Sequence, residues 1–174
     1  MVEIRPIYAE EWRELREVRL RALADAPQAF GSTLSHEEQF LDDVWIARAQ
    51  RGAAGETTRT FLAGLDGQFC GLAGVFLSAK DSTVADLVSF WVDPAHRRQG
   101  IGLRLVRSAE QWAQEMGAET LELWVTETNG PARRLYEQAG FTDTGRRQPL
   151  PSHPNLNLQE MLMSKQLMAE AGTS

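Results

Sequence analysis

The amino-acid sequence predicts a mixed α/β fold, in which one central sheet carries helices packed against it. Hydrophobic periodicity changes along the chain in the order strand, two helices, three or four strands, helix, strand, helix and final strands. A long helix separates a strand at residues 84–92 from a strand at residues 121–126, which is typical of a parallel crossover. With 174 residues, 43% of them hydrophobic, we expect a single domain over residues 1–174.

The first half of the chain is expected to contain a strand, two helices and a hairpin. "EIRPI" is a short strand candidate, and the apolar spacing over residues 9–26 predicts a helix that ends before Pro27. "SHEEQFLDDVWIARAQ" predicts a second helix capped by Ser35. Two β-rich runs, at residues 60–65 and 69–79, flank an Asp-Gly turn and are typical of a hairpin.

The second half is expected to complete the sheet around the crossover helix. Asp93-Pro94 ends the strand at residues 84–92, because proline cannot donate to a sheet. "TLELWVT" alternates as a strand, and "NGPARRLYEQAGF" predicts a short helix with Asn129 as cap and Gly140 beyond its end. The C-terminal part offers "FTDTGRR", a proline-rich loop and then "LNLQEMLM" as a last strand. Before Gly117, the crossover helix carries one apolar face: Ile101, Leu105, Ala109, Trp112 and Met116.

Charge and composition exclude several classes of function. The net charge of −6 argues against a nucleic-acid-binding protein. No apolar run approaches the ~18 residues of a membrane span, and early charges exclude a signal peptide, so we expect a cytoplasmic protein without a membrane partner. Cys70, the one cysteine, lies in an apolar run and is expected to be a buried, inert thiol. The three histidines are scattered, so no metal site is expected.

A basic, glycine-containing segment, "DPAHRRQGIGLRLV", precedes the crossover helix. It lacks the lysine of a P-loop and the third glycine of a dinucleotide fingerprint, which leaves R-x-x-G-x-G from Arg97 to Gly102. The amides of a first helical turn have no intrahelical acceptor, and glycines let an anion approach them closely. The segment therefore predicts a pyrophosphate site, although the motif alone also fits a plain glycine turn before a helix.

Two segments together, "VDPAHRRQGIGLRLV" and "NGPARRLYEQAGF", resemble the GNAT superfamily of acyl-CoA-dependent N-acetyltransferases. The order of elements agrees along the whole chain, and the N-terminal half matches in order and type of element only. The resemblance implies a mostly antiparallel sheet, with parallel and splayed fourth and fifth strands, flanked by about four helices. It also implies acetyl-CoA as cofactor, direct acetyl transfer to a primary amine in a ternary complex, and a possible homodimer.

The resemblance places the coenzyme along the glycine segment and between the splayed strands. The main chain near Trp91 and Val92 would pair with the pantetheine arm, and a backbone N–H there would stabilise the oxyanion. Arg97 and Arg98 would either reinforce the phosphate contacts or be surface charges, and Arg104 and Arg107 are expected to be exposed. The implied cofactor-binding residues are Trp91, Val92, Arg97, Arg98, Gln99, Gly100, Ile101, Gly102, Leu103, Asn129, Ala132, Arg133 and Tyr136.

Two side chains are expected to move protons. Tyr136 would protonate the leaving thiolate, whose pKa as a thiol is about 8.5, while Asn129 would cap its helix, bond the cofactor, or both. An alkylammonium has a pKa of about 10.4, so the acceptor must lose a proton before it attacks. Asp86 stands where many relatives carry a glutamate and is the expected base. The rival carboxylates are Glu37, Glu38 and Glu122.

Acceptor recognition is expected to fall to two loops, "AFGSTLSHEEQF" and "QPLPSHPNL", because loops on a rigid scaffold usually carry specificity. The acceptor classes left open are a small metabolite or antibiotic amine, which we favour, a protein N-terminus and a protein lysine. The alternative function is an acyl-CoA-binding sensor that keeps the fold without turnover. The candidate acceptor-binding residues are Phe30, Glu37, Glu38, Ser89 and His153.

Overall fold

The computed structural model describes residues 1–168 and consists of one seven-stranded sheet with five α-helices in that range. The strands are β1 (Glu3–Pro6), β2 (Thr58–Leu65), β3 (Gln68–Leu77), β4 (Val84–Val92), β5 (Thr120–Thr126), β6 (Thr142–Pro149) and β7 (Gln159–Gln166). The helices are α1 (Trp12–Asp25), α2 (Leu34–Glu37), α3 (Asp42–Ala54), α4 (Ile101–Glu115) and α5 (Gly130–Gln138). Within residues 1–168, no helix is both long and apolar enough to cross a membrane.

The strands lie in the order β1-β2-β3-β4-β5-β7-β6, and only β4 and β5 are parallel among the described pairs. These two strands pair over Val84–Asp86 and Thr120–Glu122 and then diverge. On the other side of β4 the register against β3 shifts between Leu72 and Gly74, and Ser89 has a φ of 54°. Such a bulge bends the bulged strand and can end its pairing. The predicted mixed sheet, with a parallel pair that opens, is therefore confirmed.

The prediction of one continuous second helix was wrong. A short helix, α2, is followed by a break and by α3, so five helices are present where about four were expected. The cap of α2 is Thr33 instead of Ser35, because the Thr33 hydroxyl accepts from the N–H of His36 at 3.3 Å. Asp42 and Asp43 stand in the first turn of α3, where carboxylates stabilise a helix N-terminus, so they favour a new start at that point.

The sheet separates two hydrophobic cores, because successive residues of a strand point to opposite faces. On β3, Leu72 belongs to the core that contains α1 and α3, and its neighbour Ala73 belongs to the core that contains α4. Trp91 and Val92 on β4 divide in the same way. Cys70 is 2% exposed, and burial raises the pKa of its thiol, so the expected burial of this cysteine is confirmed.

The predicted apolar face of α4 is confirmed except at its C-terminal end. The four earlier positions of that face are buried, whereas Met116 is 37% exposed. Gly117 follows with a φ of +88°, a backbone conformation that glycine adopts without steric cost. This helix holds the basic segment against the sheet at the end where β4 and β5 have diverged.

Candidate active site

The loop before α4 presents a row of unpaired amides. Over residues 98–103, no backbone N–H donates to an acceptor within the described residues, and the first helical bond joins the N–H of Arg104 to the Gly100 carbonyl at 3.1 Å. Arg98 and Gly100 have φ values of 63° and 80°. Backbone turns of this kind bring consecutive N–H groups to one concave side, which is a common anion-binding arrangement. The loop thus offers the donors that a pyrophosphate needs.

The two glycines of this loop serve different purposes. A Cβ at Gly100 would meet nothing within 4 Å, so the surface there is open to a ligand. A Cβ at Gly102 would lie 3.0 Å from Leu135 and 3.3 Å from Phe90. Close approach of an anion therefore suits Gly100. The missing side chain of Gly102 instead makes room for α5 and β4.

The Arg97 side chain braces the loop against α1. Its Nε donates to the Val92 carbonyl at 2.9 Å, and its Nη2 donates to the Asp25 carboxylate at 2.7 Å. Trp91 Nε1 donates to the same carboxylate oxygen at 2.9 Å. Arg97 is thus held by protein partners, whereas Arg98, whose own N–H belongs to the row of amides, is exposed and makes no side-chain hydrogen bond or ion pair within the described residues.

The main chain at the end of β4 faces the opening. The N–H of Asp93 donates to the Cys70 carbonyl at 2.8 Å, so Asp93 points its polar groups toward β3. Since these groups alternate along a strand, the N–H and C=O of Val92 point away from β3, on the side where β5 has diverged. The Val92 carbonyl already accepts from Arg97 Nε, so the Val92 N–H is the main-chain group left to an extended ligand.

A cleft of about 430 Å³ fills the opening between β4 and β5, and we call it the reaction cleft. Ligand pockets of about 300–1,000 Å³ are typical of small molecules. Six of the expected site residues line it: Phe30, Asp86, Ser89, Asn129, Ala132 and Tyr136. Trp91 does not line it. Asn129 also caps α5 as predicted, since its side-chain oxygen accepts from the N–H of Ala132 at 3.3 Å.

Tyr136 places a neutral phenol at this cleft. Its ring packs edge-on against Phe90 and Phe141, with centroid distances of 5.6 Å and 6.0 Å. The side chain is 6% exposed, and its hydroxyl makes no hydrogen bond within residues 1–168. Burial raises the pKa of the phenol above its ordinary value, so the group keeps its proton at physiological pH and can donate it.

Two carboxylates line the reaction cleft, on Asp86 and Glu160. Burial raises the pKa of Asp86, and the charge of Glu122, its register partner on β5, raises it further. Burial also raises the pKa of Glu160, against the opposing effect of a hydrogen bond from Gln148. In the described part of the chain, no three His, Cys, Asp or Glu side chains are grouped to hold a metal ion.

Glu37, an expected acceptor contact and rival base, forms a buried ion pair instead. Its carboxylate is 0% exposed and accepts from Arg19 at 2.8 and 3.1 Å and from Arg48 at 2.8 Å. Burial alone would raise the pKa of Glu37, but its arginine partners outweigh that effect and lower it to about 2. So acidic and enclosed a group is a poor base. Glu38 and His153 also lie outside the reaction cleft.

Sequence reasoning missed Glu160 and Arg19, which both line the reaction cleft. Each leaves a signal in the sequence. Glu160 begins the apolar run "EMLM" of β7, and Arg19 stands at core spacing on α1, four residues after Leu15 and three before Ala22. A charged residue at a position typical of the core needs a partner or a ligand.

The family model described as "Acetyltransferase (GNAT) family" matches residues 4–141, which is most of the chain. This chain belongs to the GNAT family of acetyltransferases. The match includes both segments that carried the resemblance, so the predicted family is confirmed.

Individual GNAT relatives agree with this assignment. Streptothricin acetyltransferase of Streptomyces lavendulae is 43% identical over 99 residues, which cover 54% of this chain and 51% of that protein. The chain thus spans about half the length of this relative. A GNAT acetyltransferase from Streptococcus pneumoniae superposes with a TM-score of 0.81 at 22% identity, over 97% of this chain and 100% of that one. It confirms the predicted fold class.

A second solved GNAT structure contains the coenzyme. The PaiA N-acetyltransferase of Thermoplasma acidophilum, in complex with coenzyme A, superposes with a TM-score of 0.73 at 17% identity. The alignment covers 95% of this chain and 99% of that one. At this identity the likeness concerns the fold.

Proposed function

We propose that residues 1–174 form one N-acetyltransferase domain that moves an acetyl group from acetyl-CoA to a primary amine by direct attack. The observation that carries this proposal is the meeting of three features at one opening of the sheet. A row of unpaired amides ends at the opening, the main chain of β4 faces it, and Tyr136 and Asp86 line it from two sides. Membership of the GNAT family supports the same activity.

The residues around the opening fit acetyl-CoA. The amides of residues 98–103, with Arg98 beside them, would hold the pyrophosphate. The main chain at Val92 would bond the pantetheine arm, and an amide of β4 would stabilise negative charge on the thioester oxygen. Arg133 Nε is buried without a partner among the described residues, so α5 has a further donor to offer. The coenzyme supplies a thioester, which is the activated acyl group.

The side chains of the cleft then manage two protons. Asp86 accepts a proton from the acceptor ammonium, whose pKa in water is about 10.4, and so leaves a neutral amine. The amine nitrogen bonds to the acetyl carbon as the carbon–sulfur bond breaks. Tyr136 gives its proton to the leaving sulfur, and its phenolate is restored by the second proton that the nitrogen must lose to become an amide, while Asp86 releases its own proton to solvent. The raised pKa of each group suits its role, because Asp86 gains affinity for a proton and Tyr136 stays protonated until the sulfur requires it.

The acceptor is a small-molecule amine in this proposal. The volume of the reaction cleft, about 430 Å³, supports a small molecule, and the named acceptor of the Streptomyces relative is streptothricin. A cytoplasmic location and a homodimer stay predictions from the sequence and the resemblance.

Thermal unfolding and thiol release together test the proposal. We expect acetyl-CoA to raise the Tm and an amine panel to include acceptors that release free CoA at a catalytic rate. Protection by acetyl-CoA with no amine-dependent thiol release would favour the alternative, an acyl-CoA-binding sensor. If acetyl-CoA neither raises the Tm nor releases thiol with any amine, the proposed coenzyme site is contradicted.

Gly102→Val is expected to raise the dissociation constant of acetyl-CoA about tenfold and to destabilise the fold by about 1–3 kcal/mol, since overpacking displaces Leu135 and Phe90 beside the cleft. Gly102→Ala should give a smaller effect in the same direction. Gln111→Val, an exposed position on the same helix, is the control for the lower helix propensity of valine. Calorimetric titration with acetyl-CoA checks the prediction, and wild-type affinity in both Gly102 variants would contradict it.

Glu122→Gln is expected to move the rising limb of the pH–rate profile to lower pH. The negative charge of Glu122 raises the pKa of Asp86, so its removal lets Asp86 lose its proton, and act as a base, at lower pH. Asp86→Asn should lower the rate and abolish this limb. The profile of kcat/KM against pH is the measurement, and Glu160→Gln is the matched comparison. A limb that moves only in Glu160→Gln would transfer the base role to Glu160.

A further inference from the structure

A second cleft, which we call the arginine cleft, lies beside the reaction cleft. It has a volume of about 250 Å³ and is bounded by α1, α3, β2, β3 and the bulge of β4. Three arginines, Arg19, Arg48 and Arg51, line it, and no aspartate or glutamate does so within the described residues. The hydroxyl side chains of its wall are those of Thr58, Thr60 and Ser89.

The cationic charge of the arginine cleft is only partly balanced. Glu37 bridges Arg19 and Arg48, and its pKa of about 2 keeps it ionised at neutral pH. Arg51 forms no ion pair or side-chain hydrogen bond in the part of the chain that the structure describes. Three guanidinium groups thus face one carboxylate, and the excess positive charge favours an anion in the cleft.

An unpartnered donor in the wall points to the same ligand chemistry. Trp45 lines the arginine cleft and is 0% exposed, and its indole Nε1–H is buried with no acceptor within residues 1–168. Buried donors in folded proteins nearly always have a partner, and an indole N–H can only donate. The Arg48 guanidinium lies 5.1 Å from the centroid of this ring. An oxygen-bearing anion would satisfy the indole and match the charge.

The arginine cleft adjoins the reaction cleft. Arg19 and Ser89 line both, and Arg19 Nη1 donates to Ser89 Oγ at 3.1 Å at the boundary. The carboxylates of Asp86 and Glu160 line the reaction cleft, so the two clefts present charges of opposite sign. A polyamine could place its amines beside the carboxylates of the reaction cleft, but it has no anionic group to pair with the arginines of the arginine cleft.

We infer that the acceptor is a zwitterion of the amino-acid type. Its primary amine lies in the reaction cleft near Asp86, and its carboxylate lies in the arginine cleft between Arg51 and the indole N–H of Trp45. This inference rests on the proposed acetyltransferase function and adds the class of acceptor to it.

Paired acceptors test the inference. α-Amino acids, and ω-amino acids from glycine to 6-aminohexanoate, are compared with the alkylamines that lack the carboxylate. We expect the best amino acid to exceed its matched amine at least tenfold in kcat/KM. Arg51→Gln should remove that advantage through KM, with kcat and the KM for acetyl-CoA unchanged, and Trp45→Phe should reduce it. Arg13→Gln, an exposed arginine of α1 outside both clefts, should keep the wild-type preference.

The outcomes separate this inference from the proposed function. Turnover of alkylamines at rates equal to or above those of the amino acids overturns the zwitterion and leaves the acetyltransferase intact. An amino-acid preference that survives in Arg51→Gln also overturns the inference. If no amine turns over, the proposed function fails, and titration of the CoA-loaded protein with N-acetylglycine becomes the test. Binding that is lost in Arg51→Gln supports the anion site, and absence of binding to the wild type overturns it.

Discussion

Tyr136→Phe is expected to lower kcat by about two orders of magnitude, the lower end of the range for loss of a positioned proton donor. The substitution removes only the hydroxyl, and the ring keeps its packing against Phe90 and Phe141. The KM for acetyl-CoA and the Tm should therefore change little. Steady-state thiol release at several pH values is the measurement.

Tyr8→Phe provides the matched control for this prediction. Tyr8 is the other tyrosine of the chain, and it is 57% exposed. The control variant should keep wild-type kinetics. Full activity in Tyr136→Phe would mean that a water molecule or another acid protonates the sulfur. If the fall in kcat is accompanied by a clearly lowered Tm, the hydroxyl has a structural role instead.

Glu37→Gln is expected to destabilise the fold by about 3 kcal/mol, because it leaves two arginines beside a buried neutral side chain. For a chain of this length, that loss corresponds to a fall in Tm of about 6–12 °C. Glu38→Gln removes the same charge from the exposed neighbouring residue and should change the Tm by about 1 °C or less. Thermal unfolding of both variants at neutral pH is the measurement, and equal Tm values would contradict the ion-pair role.

The same ion pair predicts an acid-sensitive stability. The pKa of Glu37 is lowered from 4.5 to about 2 in the folded protein. A lowered folded-state pKa contributes stability that is fully present above the unfolded value and is lost as the pH falls from about 4.5 toward 2. The difference in Tm between wild type and Glu37→Gln should shrink over that interval. A difference that stays constant down to pH 2 would assign the stabilisation to packing instead of charge.

Local sequence patterns predicted most of the fold. β4 begins and ends where the β-rich run does, and α4 and α5 begin next to the glycine and asparagine that mark their starts. The break between α2 and α3 was not foreseen, because its helical spacing continues through the break while the acidic pair at Asp42 and Asp43 starts a new helix. In the sequence, a polar residue that caps a helix looks the same as one in its interior. Contacts with the rest of the fold decide which of the two it is.

The candidate site was less predictable than the fold, because contacts between distant segments decide it. Arg97 has the spacing of a phosphate ligand, yet its partner is Asp25, seventy-two positions earlier in the chain. Glu37 has the exposed phase of a polar helix residue, but Arg19 and Arg48 enclose it. Glu160 reaches the reaction cleft only because β7 lies beside β5. Patterns within one segment carry none of these long-range pairings.

A single-turnover experiment tests direct acetyl transfer most directly. The protein is mixed in excess over acetyl-CoA with an acceptor amine, and mass spectrometry follows the amine, the coenzyme and the intact protein together. We expect one acetylated amine for each acetyl-CoA consumed, with no acetylated protein at any time. Acetyl-CoA that stays intact with every acceptor amine, or an acetyl group that first appears on Cys70, would contradict the account.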